Sequence, residues 1–411
     1  MLDQKARNKA ILKYMFTLFM VCFALFITFY ARNVERYNTT ILSFNYSYGF
    51  ISRGLLGSLY LWLDSITPYS ILNFESVVNI TFIATTIIVA ILFLLIFVII
   101  RKCDDLYLTN VEYVAMFFAM FFVSMFYSTR NMGRPDVYMM FLTFIGLFLI
   151  IWEKCEWLLI PLAILSCMIH QGYVFMFYNI FMYLLAYKVL NNTGKKQKKY
   201  IAILGISFVS VAILFLYFNF FSHVGGPEIY DDIVALASML GDDGEYFDIL
   251  IEHEILGIDP FEREWPSHIY NFVEFPCFCL FNLPYLILGV RLFKNIIGRA
   301  NTKIEKFKYA LIPVFALTII PCYILKIDFG RWVFAGTAYF SMVILVLVAL
   351  KDKIVTEELH ALMEDIKARY AYAHLLLVYI VTMIPLYDIH INQITRVITD
   401  WLDNTFFHIL M

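Results

Sequence analysis

Runs of roughly 20 apolar residues recur along almost the whole length of this chain, and that recurrence leaves few folds open. A run of that length matches a hydrocarbon core ~30 Å thick, crossed by a helix that rises ~1.5 Å per residue. The runs are continuously apolar rather than alternating, which argues against a transmembrane β-barrel. With 62% hydrophobic and 16% charged residues, the 411-residue chain also lacks the polar surface of a soluble domain. The sequence therefore predicts an all-α, polytopic integral membrane protein, a single transmembrane domain over 1–411.

About eleven spans are expected, near 11–31, 78–100, 112–128, 136–152, 156–170, 172–190, 200–221, 271–292, 308–326, 332–350 and 373–389. The basic start at Lys5, Arg7 and Lys9 precedes no small-residue cleavage site, so the first run reads as an uncleaved anchor. Placing the N-terminus in the cytoplasm puts 22 of the 31 Lys and Arg residues on cytoplasmic segments, as the positive-inside rule demands. The C-terminus then falls outside. Amphipathic spacing at Val355, Leu359, Leu362 and Ile366 predicts a cytoplasmic surface helix over 351–370, and 390–405 repeats the pattern outside. Residues 222–270 form an extracytoplasmic loop with twelve acidic residues against Arg263 alone, read as a solvated lid. The seven cysteines, odd in number and mostly in or beside spans, imply no disulfide framework. No basic block marks a nucleic-acid footprint, and neither a metal site nor a cofactor is expected.

One stretch departs from this pattern. Tyr48–Asp64, YGFISRGLLGSLYLWLD, is too short to span and carries Arg53 beside Gly54, with Gly57 three residues on. It predicts a short re-entrant or interfacial element. An arginine in such a setting costs several kcal/mol in lipid unless it faces protein or water. Arg53 either snorkels to the headgroups or serves a site.

Four short segments with unusual polar residues abut span ends, and the topology puts all four on the outer side. They are Ser52-Arg53-Gly54, Arg130 to Asp136 (RNMGRPD), His170-Gln171-Gly172, and Lys326 to Trp332 (KIDFGRW). Pro135 suits a first helical turn, and Asp136 then sits at the positive end of the dipole. Arg134 and Asp136 are either a capping pair or ligand contacts; Asp328 and Arg331 pose the same choice. His170 is either a hydrogen-bonded core group, a general base, or a donor to an anionic leaving group. Several arginines facing one outer cavity point to a phosphate-bearing ligand, because guanidinium forks match phosphate oxygens and stay charged.

The outer arginines, the large loop in the second half and the span count together resemble the Wzy-type polysaccharide polymerases, bacterial enzymes of the plasma membrane. The RGLLG, GRPD, HQG and DFGR stretches also resemble those of membrane proteins from surface-polysaccharide loci. The resemblance implies polymerisation of undecaprenyl-pyrophosphate-linked repeat units at the extracytoplasmic face. Flippase and chain-length regulator proteins would be partners. It implies further that Arg53, Arg134 and Arg331, with Arg130 and Gln171, hold the pyrophosphates. His170, Asp136 or Asp328 would take the acceptor proton. Two other classes share features with the chain. A glycosyltransferase using a lipid-phosphate-sugar donor, of the GT-C fold, would need an outer-loop acid such as Glu35. A lipid-linked oligosaccharide flippase would need charges at mid-membrane.

Overall fold

The computed structural model describes residues 34, 36–102, 132–222, 227–241, 265–325 and 329–383. Two expected spans, 11–31 and 112–128, and the amphipathic stretch 390–405 lie outside the described residues. All regular structure among the described residues is helical. Among the described residues five helices are long and apolar enough to cross a membrane: Phe74–Ile96, Pro135–Trp152, Gly194–Phe220, Lys303–Tyr323 and Arg331–Ala349. The chain divides into two compact units. The first draws on Met1–Asp104 and Ser128–Ile258, the second on Asp105–Tyr127 and Asp259–Met411.

In the first unit, helix α1 (Arg36–Thr40) and two 3-10 turns (Ile41–Ser43 and Tyr46–Tyr48) lead into α2 (Gly54–Ile66). There follow α3 (Phe74–Lys102), α4 (Pro135–Trp152), α5 (Leu159–Ile169), α6 (Tyr173–Met176), α7 (Tyr178–Asn191), α8 (Gly194–Phe220) and α9 (Pro227–Met239). At 13 residues, α2 extends ~20 Å and cannot cross a bilayer, in keeping with its notched sequence. The expected span at 156–170 is also short, an apolar helix over Glu156–Ile169. The run 172–190 is broken at Phe177, whose backbone leaves the helical region. Tyr173, Met176, Phe177, Tyr178, Ile180 and Phe181, on both sides of the break, are all buried.

Lipid-facing character survives on the longer helices. Ile83, Ile87 and Leu94 stand exposed along one side of α3, and Ile206, Val209, Ile213 and Leu216 along α8. Where helices meet, small residues permit close approach. A Cβ at Gly146 on α4 would lie 2.1 Å from the ring of Phe181 on α7.

At one end of this unit the α4–α5 turn carries Glu153 and Glu156. Glu153 accepts from Lys188 at 2.7 Å and from Lys196 at 3.1 Å, and Glu156 accepts from Lys199 at 2.8 Å and Tyr200 at 3.0 Å. Lys188 is 4% exposed, so its charge depends on that partner. The Lys188 ammonium holds the Glu153 carboxyl at about 2, against an ordinary value of 4.5. Because the folded value lies below the unfolded one, the contribution is complete above about pH 4.5 and is lost as pH falls toward 2. Glu153→Gln is expected to lower stability by about 1–2 kcal/mol at neutral pH, a buried-pair cost reduced because Glu153 itself is partly solvated. Thermal unfolding of wild type and variant at pH 7 and pH 3 checks this. An unfolding difference that does not narrow at the lower pH would refute the pairing argument.

The second unit contains α10 (Trp265–Arg299), α11 (Lys303–Ala316), α12 (Ile320–Leu325), α13 (Phe329–Ala349) and α14 (Lys353–Met383). Thr302 and Glu305 form a capping box at the start of α11. Asp352 caps α14, accepting from Val355 N at 3.1 Å, and also accepts from the Tyr309 hydroxyl at 2.9 Å. Helix α14 runs without a break through the expected surface helix and into the expected last span. The stripe Val355, Leu359, Leu362 and Ile366 is buried, with α10 and α13 as neighbours. Arg299 pairs with Glu357 and Glu358, and Arg291 with Asp365, fastening α10 to α14 along their charged edge. The amphipathic pattern thus serves a protein neighbour here.

Candidate functional site

The end of the first unit opposite Glu153 is where its sequence-predicted site residues meet. Helix α4 begins there, α5 ends there at His170, α8 ends there, and α3 begins there. Over these ends lie α1, the two 3-10 turns, α2 and α9. Ile41, Phe44, Ile51, Ile233 and Ala237 form the apolar core of this layer. Helix α9, from the stretch expected to be a solvated lid, is thereby seated on the layer through Ile233 and Ala237. Residues 223–226 and 242–264 of that stretch lie outside the described residues.

Arg53 stands at the junction of the second 3-10 turn and α2 with φ 62° and ψ 3°, a left-handed conformation. A non-glycine residue held there costs of order 1–3 kcal/mol and persists only where its surroundings enforce it. The enforcement is visible on both sides. Ser52, before it, donates its backbone N–H to Ser222 Oγ at 3.1 Å, and its own hydroxyl donates to the Gln171 side-chain oxygen. Gly54, after it, lies so close to the Tyr46 ring that a Cβ would come within 2.6 Å. Three stretches far apart in sequence, at 52–54, 170–172 and the end of α8, are thereby tied together.

His170 closes α5 with extended backbone, and its Nδ1 accepts the Gly172 backbone N–H at 2.8 Å. An Nδ1 engaged as acceptor leaves the proton of the neutral ring on Nε2. In this tautomer Nε2 is a donor and not a base. Gln171 beside it is held by Ser52.

The GRPD turn is held from a different direction. Gly133 has φ +84°, and Asn38 on α1 donates from Nδ2 to Met132 O at 2.7 Å. The Arg134 guanidinium lies 5.6 Å from the Tyr37 ring centroid, a cation–π distance. Pro135 opens α4, as its fixed φ favours, and Asp136 in the first turn is fully buried. Asp136 therefore offers no solvent-facing carboxylate in this structure.

No family model, curated protein or solved structure matches the chain.

The site thus rests on the geometry of the chain itself. Arg53, Arg134, Asp136, His170 and Gln171 belong to one unit and to one end of it. Arg331 belongs to the second unit, near the start of α13, with its guanidinium 5.3 Å from the Trp332 ring centroid. Asp328 and Arg130 lie outside the described residues. Sequence reasoning missed Tyr37, Asn38 and Ser222, which hold the arginine-bearing turns in place. Their signal was weak: Asn38 is one polar residue in a polar, aromatic segment, and Ser222 sits at a span boundary. A further polar group is Tyr46, whose hydroxyl is buried and has no hydrogen-bond partner among the described residues. Burial, with the Cys167 thiol adding to it, pushes this phenol up to about 12, so it remains a neutral donor at any physiological pH.

Proposed function

We propose that the protein polymerises undecaprenyl-pyrophosphate-linked glycan repeat units at the outer face of a bacterial plasma membrane. The observation that carries the reading is the gathering of Arg53, Arg134, Gln171 and His170 at one end of a helical unit whose neighbouring helices are long and apolar enough to span. Guanidinium groups at that level suit a pyrophosphate whose polyprenyl tail lies among the spans. The Lys/Arg bias along the sequence turns this end outward.

In the proposed reaction the acceptor hydroxyl bonds to the anomeric carbon of the donor glycan, and the bond from that carbon to the pyrophosphate oxygen breaks. Arg53 and Arg134, with Arg130, stabilise the charge that develops on the leaving pyrophosphate. Such electrostatic stabilisation is commonly the largest catalytic term. Gln171 orients a phosphate oxygen. His170, protonated on Nε2, donates to the leaving group rather than taking the acceptor proton. That proton passes to water, since Asp136 is buried. The partners that follow are the lipid-linked donor and acceptor, a flippase that delivers them and a regulator of chain length.

Deleting the gene and analysing lipid-linked glycans tests the proposal. Deletion is expected to leave single repeats at the outer leaflet. Wild type should restore a ladder, and Arg134→Ala, though folded in the membrane, should not. Repeats lacking one sugar would instead identify a single-addition glycosyltransferase. Repeats held in the inner leaflet would identify a flippase.

A further inference from the structure

Helix α2 has an apolar face that is exposed among the described residues, and its position relative to α3 indicates what covers that face. Gly54, Gly57 and Tyr60 are its buried residues, turned toward the 3-10 turns that precede it. At ~100° per residue, Leu55, Leu59, Trp62 and Ile66 lie on the other side of the helix from Gly57. Leu59 is 51% exposed, Trp62 60% and Ile66 58%. A helix resting on a protein surface in water turns charged residues outward at those positions; this one turns out a leucine, a tryptophan and an isoleucine.

The depth of this face follows from the linker. Residues 67–73 join α2 to α3, whose spanning segment starts at Phe74. They are fastened back onto α2, because the Tyr60 hydroxyl donates to Ile71 O at 2.5 Å and Ile71 N donates to Asp64 Oδ1 at 2.7 Å. The helix therefore lies level with the start of a candidate span and cannot sink past it. Aromatic side chains ring the same end. Tyr69 and Phe221 are 83% and 71% exposed, and Phe50 packs on Tyr217 and Phe218. Tyrosine and tryptophan concentrate at the level where acyl chains meet headgroups.

We infer that α2 is an interfacial helix whose Leu59, Trp62 and Ile66 are bedded in the acyl chains of one bilayer leaflet, so that the lipid surface is the partner of this face. Arg53, at the N-terminus of the helix, is thereby held at headgroup depth. The inference does not depend on the reaction proposed above.

Two measurements test it. In the first, Trp152, Trp157, Trp265, Trp332 and Trp401 are each replaced by Phe, which leaves Trp62 as the sole tryptophan, and the full chain is reconstituted in phosphatidylcholine vesicles. Lipids brominated near the carbonyl end of the acyl chain are expected to lower Trp62 emission by about twofold, and more than lipids brominated near the chain terminus. Absence of quenching by either lipid, or stronger quenching by the deeply brominated one, would overturn the inference. In the second, which serves if the sole-tryptophan protein does not fold, benzoylphenylalanine replaces Trp62 in the otherwise native chain. Irradiation should attach phospholipid at that position. Attachment to a second copy or to another protein, or no attachment, would overturn it equally.

Discussion

Gly57→Ala is expected to destroy the seat of α2. An added Cβ would lie 2.0 Å from the backbone oxygen of Phe44 and 2.4 Å from that of Leu42. Neither oxygen belongs to a side chain that could rotate away, so helix and turn must separate. Overpacking commonly costs 1–3 kcal/mol, and a clash against two main-chain groups should reach about 3 kcal/mol or more. Gly54→Ala provides the contrast, since its Cβ would meet the ring of Tyr46 at 2.6 Å. A half-buried ring can move, so pairing Gly54→Ala with Tyr46→Leu should restore much of the loss. The comparison is read by thermal unfolding and size-exclusion profile in detergent. If Gly57→Ala unfolds at the same temperature as wild type, the packing of α2 on residues 42–44 described here is wrong.

Arg53→Gly should separate stability from activity. Glycine adopts the left-handed conformation at no steric cost, so removing the strained residue relieves about 1 kcal/mol, set against whatever its side chain contributes. The unfolding temperature is expected to stay level or rise, and to exceed that of Arg53→Ala, which keeps the strain and loses the guanidinium. Polymer, in contrast, should disappear in both variants. Arg53→Lys should make far less polymer than wild type, because an ammonium cannot reproduce the planar fork. A folded Arg53→Gly protein that produced a normal ladder would remove Arg53 from the site and leave its conformation as a matter of the turn alone.

The all-helical membrane class and part of the architecture were legible because membrane helices write their length and apolarity directly into sequence. Phe74–Ile96, Pro135–Trp152 and Arg331–Ala349 fall close to runs read from hydropathy. The run 172–190 could not be read as two helices from hydropathy, which is blind to which side of a helix a buried aromatic occupies. Nor could amphipathicity tell that the stripe from Val355 to Ile366 meets α10 and α13, since a membrane surface and a neighbouring helix ask for the same periodicity. The stretch after Ser222 looked solvated because its acidic residues outweighed Ile233 and Ala237, the two that seat α9.

The candidate site divides along the same line. By itself the sequence determined that Arg53, Arg134 and His170 stand at the ends of apolar segments, because a charge is tolerated there and excluded from the lipid-facing middle. It also determined that α2 is too short to cross. The tertiary structure decided that Ser52 meets Gln171 and Ser222, that Asn38 holds the turn before Arg134, and that His170 Nδ1 is engaged by Gly172. Those are hydrogen bonds, several between residues more than ninety positions apart, made or lost by a few tenths of an ångström in helix packing. Hydropathy and charge fix the depth of a residue in a membrane, and packing alone chooses its partner.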